Sequence, residues 1–494
     1  MAKASNVLDY NKDAVRDGIV TAFKQRRGEA APADIVAFTG LPKQQVDAEL
    51  PAVADEFGGR LKVTDSGEIL YSFPHGFKSR YKGFGPASRR LLKTLGKGAA
   101  AVATFLFKGW IMVMLIGYFA LFVALIVLAM LASVALSASD KNNRSRSKGG
   151  GAFMATRLID LFIRIWFYNE VFKSPGQRRY ESNSRARKKE NRRPLNKAIF
   201  SFVFGEADPN ADHDLVEKRA FIALARLKKG IVLLEDFMSV TGLSPEEANL
   251  AINRYLYEFE GSPEVSESGT VYFHFPKLLL RARSDEPGTS DSPFKRIRAF
   301  SANDKKANFW YSAINGVNLV FGSYFLYCSL ALGSLTTGVV TGGTYLYWFV
   351  ATLLSEFLIN PFPLMAIGLG MVPLVFSLLF WLVPAVRKGR LSRENERIKE
   401  GNLRRALYAS AVSSPSAVRT PDGTSLPAAA RPANTAAPQK VVEELAAFEG
   451  GEPVDAGVWR LVELERKVVD AERLRAAVKP EDYRLGGIAF DSGS

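Results

Sequence analysis

Apolar residues are spread along this chain in two ways. In two stretches they run almost unbroken: residues 99–138 hold one charge, Lys108, and residues 309–386 hold one charge, Glu356. About 20 consecutive apolar residues span a bilayer, so these blocks predict an integral membrane protein. Elsewhere apolar positions recur at helical or alternating spacing, as in soluble domains.

The soluble stretches repeat. Sliding the chain against itself by 202 positions aligns residues 16–74 with 218–276 without a gap. Thr39-Gly40-Leu41 falls on Thr241-Gly242-Leu243, Asp34 on Asp236, Glu56-Phe57 on Glu258-Phe259, and Phe73-Pro74 on Phe275-Pro276. Each copy reads as a helix stopping at Gly28 or Gly230, a short helix, a Thr-Gly-Leu turn and a third helix. A hairpin turning at Ser66-Gly67 or Ser268-Gly269 closes it. Three helices and a β-hairpin make the winged-helix pattern, so the repeat reads as a duplicated winged-helix-like domain. A winged helix that reads DNA lays its third helix in the major groove. In the second copy that helix opens with Glu246-Glu247, which phosphate repels. The repeat points to protein contact and away from nucleic acid.

The first apolar block predicts one span, with Lys108 snorkelling to its edge. The second predicts three helices, near 310–332, 345–359 and 364–386, with Asn360-Pro361-Phe362-Pro363 breaking the last two apart and Pro384 kinking or ending the third. About four transmembrane helices result. Polar residues at membrane depth are functional candidates by default: Asn315, Asn318, Glu356 and Asn360. Each also has a structural reading, as an interhelical hydrogen bond or a helix end at the surface.

Charge sharpens this picture. The chain holds 65 Lys+Arg and 50 Asp+Glu, a net +15, and the excess is concentrated. Residues 78–97 carry seven basic and no acidic side chains, and residues 139–197 carry 16 basic and five acidic ones. Each positive block borders an apolar block, as cytoplasmic flanks do and as anionic headgroups favour. Arg89, Arg90 and Lys93 are candidate headgroup contacts, joined by Arg157 and Arg164 on an amphipathic helix over 152–172 that suits the interface.

Reactive chemistry is missing from the pattern. One cysteine, Cys328, cannot build a zinc or iron–sulfur site alone. The three histidines are scattered, and the chain has no phosphate loop, dinucleotide fingerprint or Gly-x-Ser-x-Gly elbow. The expectation is a non-enzyme with no catalytic residue, cofactor or metal.

The fold class read here is an α+β membrane protein: two winged-helix-like domains (1–77 and 198–280) combined with a transmembrane helix (99–138) and a transmembrane block (309–386). Basic linkers occupy 78–98 and 139–197, and a further linker 281–308. A charged helix (387–411), a disordered linker rich in Ser, Pro and Ala (412–438) and a helical tail (439–494), with a helix near 456–478, complete the chain.

Several stretches resemble a family of uncharacterised membrane proteins of cyanobacteria and plastids. They are residues 200–210, ending Glu206-Ala207-Asp208-Pro209-Asn210, then Glu217-Lys218-Arg219, 259–265, 275–278 and 315–319. The last runs from Pro384 to Arg405 and includes Asn395 and Asn402-Leu403-Arg404-Arg405. Some plant members carry an iron–sulfur-biosynthesis label, which one thiol cannot support, and it is not carried over. The resemblance implies a multi-pass protein of a bacterial plasma (inner) membrane, by analogy with inner plastid membranes.

The function expected is a membrane-anchored interaction scaffold acting through the two winged-helix-like domains. Its expected partners are anionic membrane lipids and an unidentified protein, and a homo-oligomer fits the same features. The alternatives are a small-solute or lipid transporter built on 309–386, and a membrane-tethered DNA regulator.

Overall fold

The computed structural model describes residues 10–26, 29–74, 76–77, 102–139, 194–282, 293–332, 343–421, 426–431, 436–455, 457–479, 483 and 485–492. In chain order the helices are α1 (Lys12–Arg26), α2 (Pro32–Thr39), α3 (Lys43–Phe57), α4 (Val102–Ser133), α5 (Leu195–Phe204), α6 (His213–Leu227) and α7 (Leu234–Thr241). Then come α8 (Pro245–Phe259), α9 (Lys305–Leu332), α10 (Tyr345–Ser355), α11 (Val372–Ser413), α12 (Ala437–Phe448) and α13 (Val462–Ala477). The strands are β1 (Arg60–Thr64), β2 (Ile69–Ser72), β3 (Ile231–Val232), β4 (Ser262–Val265), β5 (Val271–His274), β6 (Val418–Arg419), β7 (Gly451–Asp455), β8 (Val458–Leu461) and β9 (Ile488–Asp491). They form three small sheets, ordered β2-β1-β9, β3-β5-β4 and β6-β8-β7. The chain divides into two units: Met1–Ala87, Asp208–Arg298 and Ser392–Ser494 in one, Ser88–Ala207 and Ala299–Leu391 in the other.

In the first unit, α1 buries Val15, Ile19, Ala22 and Phe23, an apolar stripe at helical spacing. The short helices α2 and α7 start alike. Asp34 Oδ2 accepts the Ala31 N–H at 3.1 Å and Asp236 Oδ2 accepts the Leu233 N–H at 3.1 Å, each satisfying an orphan donor at a helix start. The hairpins share one register. Val63 faces Ile69 as Val265 faces Val271, and the bridge Ala30–Tyr71 matches Val232–Phe273, all at the same shift of 202 residues.

The C-terminal segment differs from the expected linker and tail. Val418, Leu426 and Ala430 are buried, so 412–438 is not a disordered linker throughout; its Ser, Pro and Ala content hid single apolar anchors. The helix expected from 456 starts at Val462, because Val458–Leu461 is the central strand of a sheet. The order β6, α12, β7, β8 follows that of β3, α8, β4, β5. Val418 and Pro453 both face Trp459, as Val232 and Pro263 both face Phe273. Finally β9 adds to the outer edge of β1, pairing Phe490 with Val63.

The second unit is helical. Among the described residues three helices are long and apolar enough to cross a membrane: α4, Lys305–Ala331 within α9, and Leu364–Ser413, which contains α11. The expected fourth, α10, has 11 residues, about 17 Å at 1.5 Å per residue, short of the roughly 30 Å hydrocarbon thickness. Pro384 neither ends nor divides α11, which runs through to Ser413 and absorbs the charged helix expected separately at 387–411. A π-turn at Val113–Gly117 widens α4, and a π-helical stretch at Leu364–Met371 precedes α11. A side chain from a neighbouring helix bonds a carbonyl in each: Asn318 Nδ2 donates to Leu115 O at 2.8 Å and the Tyr118 hydroxyl to Gly368 O at 2.8 Å. Lys108 sits 4.4 Å over the Phe200 ring. Arg387 donates to Phe202 O and Val203 O at the end of α5 and to Phe300 O, the favoured place for a cation at a helix C-terminus. Helix α5 thus belongs to this unit, not to a domain starting at 198.

Candidate functional site

Residues 293–299 have no regular secondary structure, yet three asparagines of the first unit fix their backbone. Asn210 Oδ1 accepts the Arg296 N–H and its Nδ2 donates to Arg296 O, both at 2.8 Å. Asn395 does the same for Arg298 at 3.0 and 2.9 Å, and Asn402 for Lys295 at 2.9 and 2.8 Å. A carboxamide offers donor and acceptor side by side, so each asparagine replaces a neighbouring strand. Asn395 and Asn402 lie two turns apart on α11, about 10 Å, and an extended chain covers that distance in the three residues from Lys295 to Arg298.

A buried ionic cluster adjoins them. Arg405, 2% exposed, donates to Val240 O at 2.7 Å, Glu217 Oε2 at 2.9 Å and Asn402 Oδ1 at 3.3 Å. Glu217 also accepts the Tyr255 hydroxyl at 3.1 Å and has His213 Nε2 at 3.6 Å. Burial alone would raise the Glu217 carboxyl, but His213 and the Arg405 charge hold it below its ordinary value. Burial and the Glu217 charge push the Tyr255 phenol well above its own. Burial lowers Arg405, though a guanidinium keeps its proton in a protein. Of these groups Arg405, Glu217 and His213 line a cleft of about 640 Å³, together with Lys295, Arg397 and Arg404.

The second Thr-Gly-Leu turn, Thr241-Gly242-Leu243, forms part of the cleft wall, and the glycine of both turns has a steric cause. Gly40 and Gly242 have φ of 75° and 67°, the left-handed region. A Cβ on Gly40 would lie 2.6 Å from Leu215 O of α6, and one on Gly242 would overlap Gly401 O of α11. Arg219 and Arg405, four residues further along each helix, flank the contacts. Each turn seats on the helix that opens the following segment.

The membrane candidates do not come together. Asn315 and Asn318 are fully buried and tie helices, Asn315 Nδ2 donating to Ser377 O at 2.9 Å, while Asn315 Oδ1, Asn318 Oδ1 and Ser377 Oγ have no partner. Glu356 and Asn360 are exposed, and Asn360 Oδ1 accepts the Phe362 N–H at 3.1 Å. Arg89, Arg90, Lys93, Arg157 and Arg164 lie outside the described residues, as does the predicted helix 152–172. Pattern reading did not single out Asn210, Asn395 and Asn402 as a site. Asparagines seven apart on a charged helix were the available signal.

What fold and site define is a mixed helix-and-small-sheet protein with candidate membrane-spanning helices. The chain is similar to an uncharacterized chloroplastic protein of Arabidopsis thaliana, 22% identical over 418 residues, which cover 81% of this chain and 73% of that protein. A plastid-type uncharacterised protein agrees with the resemblance read from the sequence, but its chloroplastic relative gives no support to a bacterial inner membrane. No family model matches the chain, and no solved structure matches it.

Proposed function

We propose that the protein is a membrane-anchored interaction scaffold whose soluble unit is a tandem of winged-helix-like modules. The observation that supports it most is the pair of Thr-Gly-Leu turns, each seated on the helix that opens the following segment. The modules use the surface beside their third helix for protein contact. The third helix of the second module leaves Leu250 and Tyr257 78% and 47% exposed, and its start is acidic, with a capping box between Ser244 and Glu247. This face suits an apolar or basic protein surface better than phosphate.

The test places photo-crosslinking residues at Leu250 and Tyr257 in the full chain in native membranes. A discrete protein adduct at both sites, lost when Leu250→Asp is combined with the Tyr257 probe, is the expected result. Adducts to lipid alone, or none, would remove the scaffold reading. Duplex DNA titrations on the same preparation should stay flat.

A second reading, transport through the membrane helices, draws on the unpartnered acceptors of Asn315, Asn318 and Ser377. Solute flux or lipid transfer in liposomes that is insensitive to Asn318→Ala and Glu356→Gln would dispose of it.

A further inference from the structure

The outer edge of β1 holds β9 by its main chain and reads the residues that lead into it by side chains. The turn after β1 grips that approach. The Asp65 N–H donates to Gly487 O at 2.9 Å, Asp65 Oδ2 accepts the Gly487 N–H at 2.7 Å, and the Ser66 hydroxyl donates to Leu485 O at 3.0 Å. Two glycines are required here. Gly486 has φ of 74°, and a Cβ on it would lie 3.0 Å from Asp65 Cβ. A Cβ on Gly487 would lie 2.8 Å from Asp65 Oδ2. Leu485 is buried against Ala31 and Leu70. Four residues past Gly487, the Asp491 carboxylate lies 3.6 Å from Lys62 Nζ. Between these points the hold is mostly backbone: Ile488 and Phe490 pair with Thr64 and Val63, yet their side chains are 53% and 59% exposed.

Main-chain pairing with pockets for chosen side chains is how a sheet edge takes up an extended peptide. The matching edges, β4 and β7, carry Pro263 and Pro453, which bar such addition. A short strand with its apolar side chains in water also belongs to the part of a fold that opens most readily. We infer that the outer edge of β1 is a strand-addition site for an extended segment of the pattern Leu-Gly-Gly-x-x-x-Asp. Residues 485–491 are its in-chain ligand, and a partner segment of the same pattern takes the edge when they detach. The leucine packs on Ala31 and Leu70, the two glycines clear Asp65, and the carboxylate meets Lys62. No residue of the α8 face takes part.

The experiment keeps the full chain, in nanodiscs, and titrates it with a fluorescent peptide of sequence 485–494, read by anisotropy. Gly487→Val, which sets a side chain against Asp65, and Leu485→Asp, which puts a charge in the buried position, each detach the in-chain strand. Faster amide exchange at Phe490 reports the release. The peptide should bind both variants saturably. It should bind wild type about tenfold or more weakly, because the tethered strand competes at high effective concentration. Leu61→Pro added to Gly487→Val, or Gly487→Val made in the peptide, should weaken binding by a similar factor. Phe490 still protected in both variants, no saturable binding to the released chains, equal binding to wild type, or indifference to the proline and the peptide substitution would each overturn the inference. None of these outcomes bears on crosslinks at Leu250 and Tyr257, so the scaffold reading keeps its own test.

Discussion

Pro263 holds in β4 the place that Leu61 holds in β1: Pro263 faces Phe273 and Leu61 faces Tyr71 in hairpins of one register. Leu61 presents its N–H outward to Ser492 Oγ at 2.8 Å and accepts the Ser492 N–H at 2.9 Å, which anchors β9 to the sheet edge. Proline has no N–H to present. Pro453 holds the corresponding place in β7, facing Trp459. Proline at an edge strand blunts it against added strands, and β9 lies on the one hairpin of the three without it.

Leu61→Pro should therefore release β9 while leaving the hairpin formed. The lost hydrogen bond is worth about 1 kcal/mol, enough to expose so short a strand. Amide exchange at Phe490 should accelerate about fivefold or more, and exchange at Tyr71 should not change. Protection of Phe490 retained in the variant would show that β9 is held by its side chains instead.

Gly242→Ala should be costly and Gly269→Ala mild, although both glycines have positive φ. The left-handed backbone costs a residue with a Cβ roughly 1–2 kcal/mol at either place. At Gly269 nothing lies within 4 Å of the added Cβ, whereas at Gly242 it meets Gly401 O and Arg405 Cγ, so packed backbone must move. Urea unfolding should show a loss above about 2 kcal/mol for Gly242→Ala and about half that for Gly269→Ala. Equal losses would mean that the contact with α11 yields without strain.

That contrast marks what pattern reading reached. The likeness of residues 16–74 to 218–276 was legible because turn glycines and hairpin anchors recur at one spacing of 202, and Thr39-Gly40-Leu41 and Thr241-Gly242-Leu243 announced a turn without revealing what it touches. The long apolar blocks were legible from composition, but the shortness of α10 and the continuity of α11 through Pro384 were not, since neighbouring helices decide whether a proline divides a helix. The cleft stayed hidden because His213, Lys295 and Arg405 are far apart in sequence and meet only in the folded chain, His213 and Arg405 on Glu217 and Lys295 through Asn402, whose peptide-like bonds have no periodic signature. Trp459 and Val462 suggested one amphipathic helix, although a strand and a helix divide them.

Glu449 gives the soluble unit a pH dependence of definite sign. The residue is fully buried, and Lys467 Nζ reaches its two oxygens at 3.0 Å and Glu235 Oε1 at 2.9 Å. Burial first, then the neighbouring Glu235, raise the Glu449 carboxyl from 4.5 to about 8 against the pull of Lys467. The folded chain thus keeps a proton that the unfolded chain has released. Its stabilisation is complete below about pH 4.5 and is lost as pH rises through about 8. The thermal midpoint of wild type should fall between pH 6 and 9, and Glu449→Gln should flatten that fall and stand above wild type at pH 9. Parallel curves for the two proteins would show that Glu449 holds no such proton.

Arg405 and Glu217 form a pair whose value depends on keeping both. Arg405 is 2% exposed and the Glu217 side chain 17% exposed, so neither charge has much water to fall back on. Removing one member of a buried pair leaves the other desolvated and typically costs about 3–5 kcal/mol. Arg405→Met should destabilise the fold by an amount in that range, because Glu217 would keep the Tyr255 hydroxyl and His213 but lose its one guanidinium partner. Glu217→Gln should cost less, since Arg405 retains Val240 O and Asn402 Oδ1. The double variant should be more stable than the sum of the two losses predicts, by about 2 kcal/mol. Loss of Glu217 should also bring the Tyr255 phenol down toward its ordinary value, since the Glu217 charge is the second cause of its rise after burial. Ultraviolet titration of wild type and Glu217→Gln reads that shift. Additive stability losses together with an unmoved phenol would mean that the two charges are solvated separately.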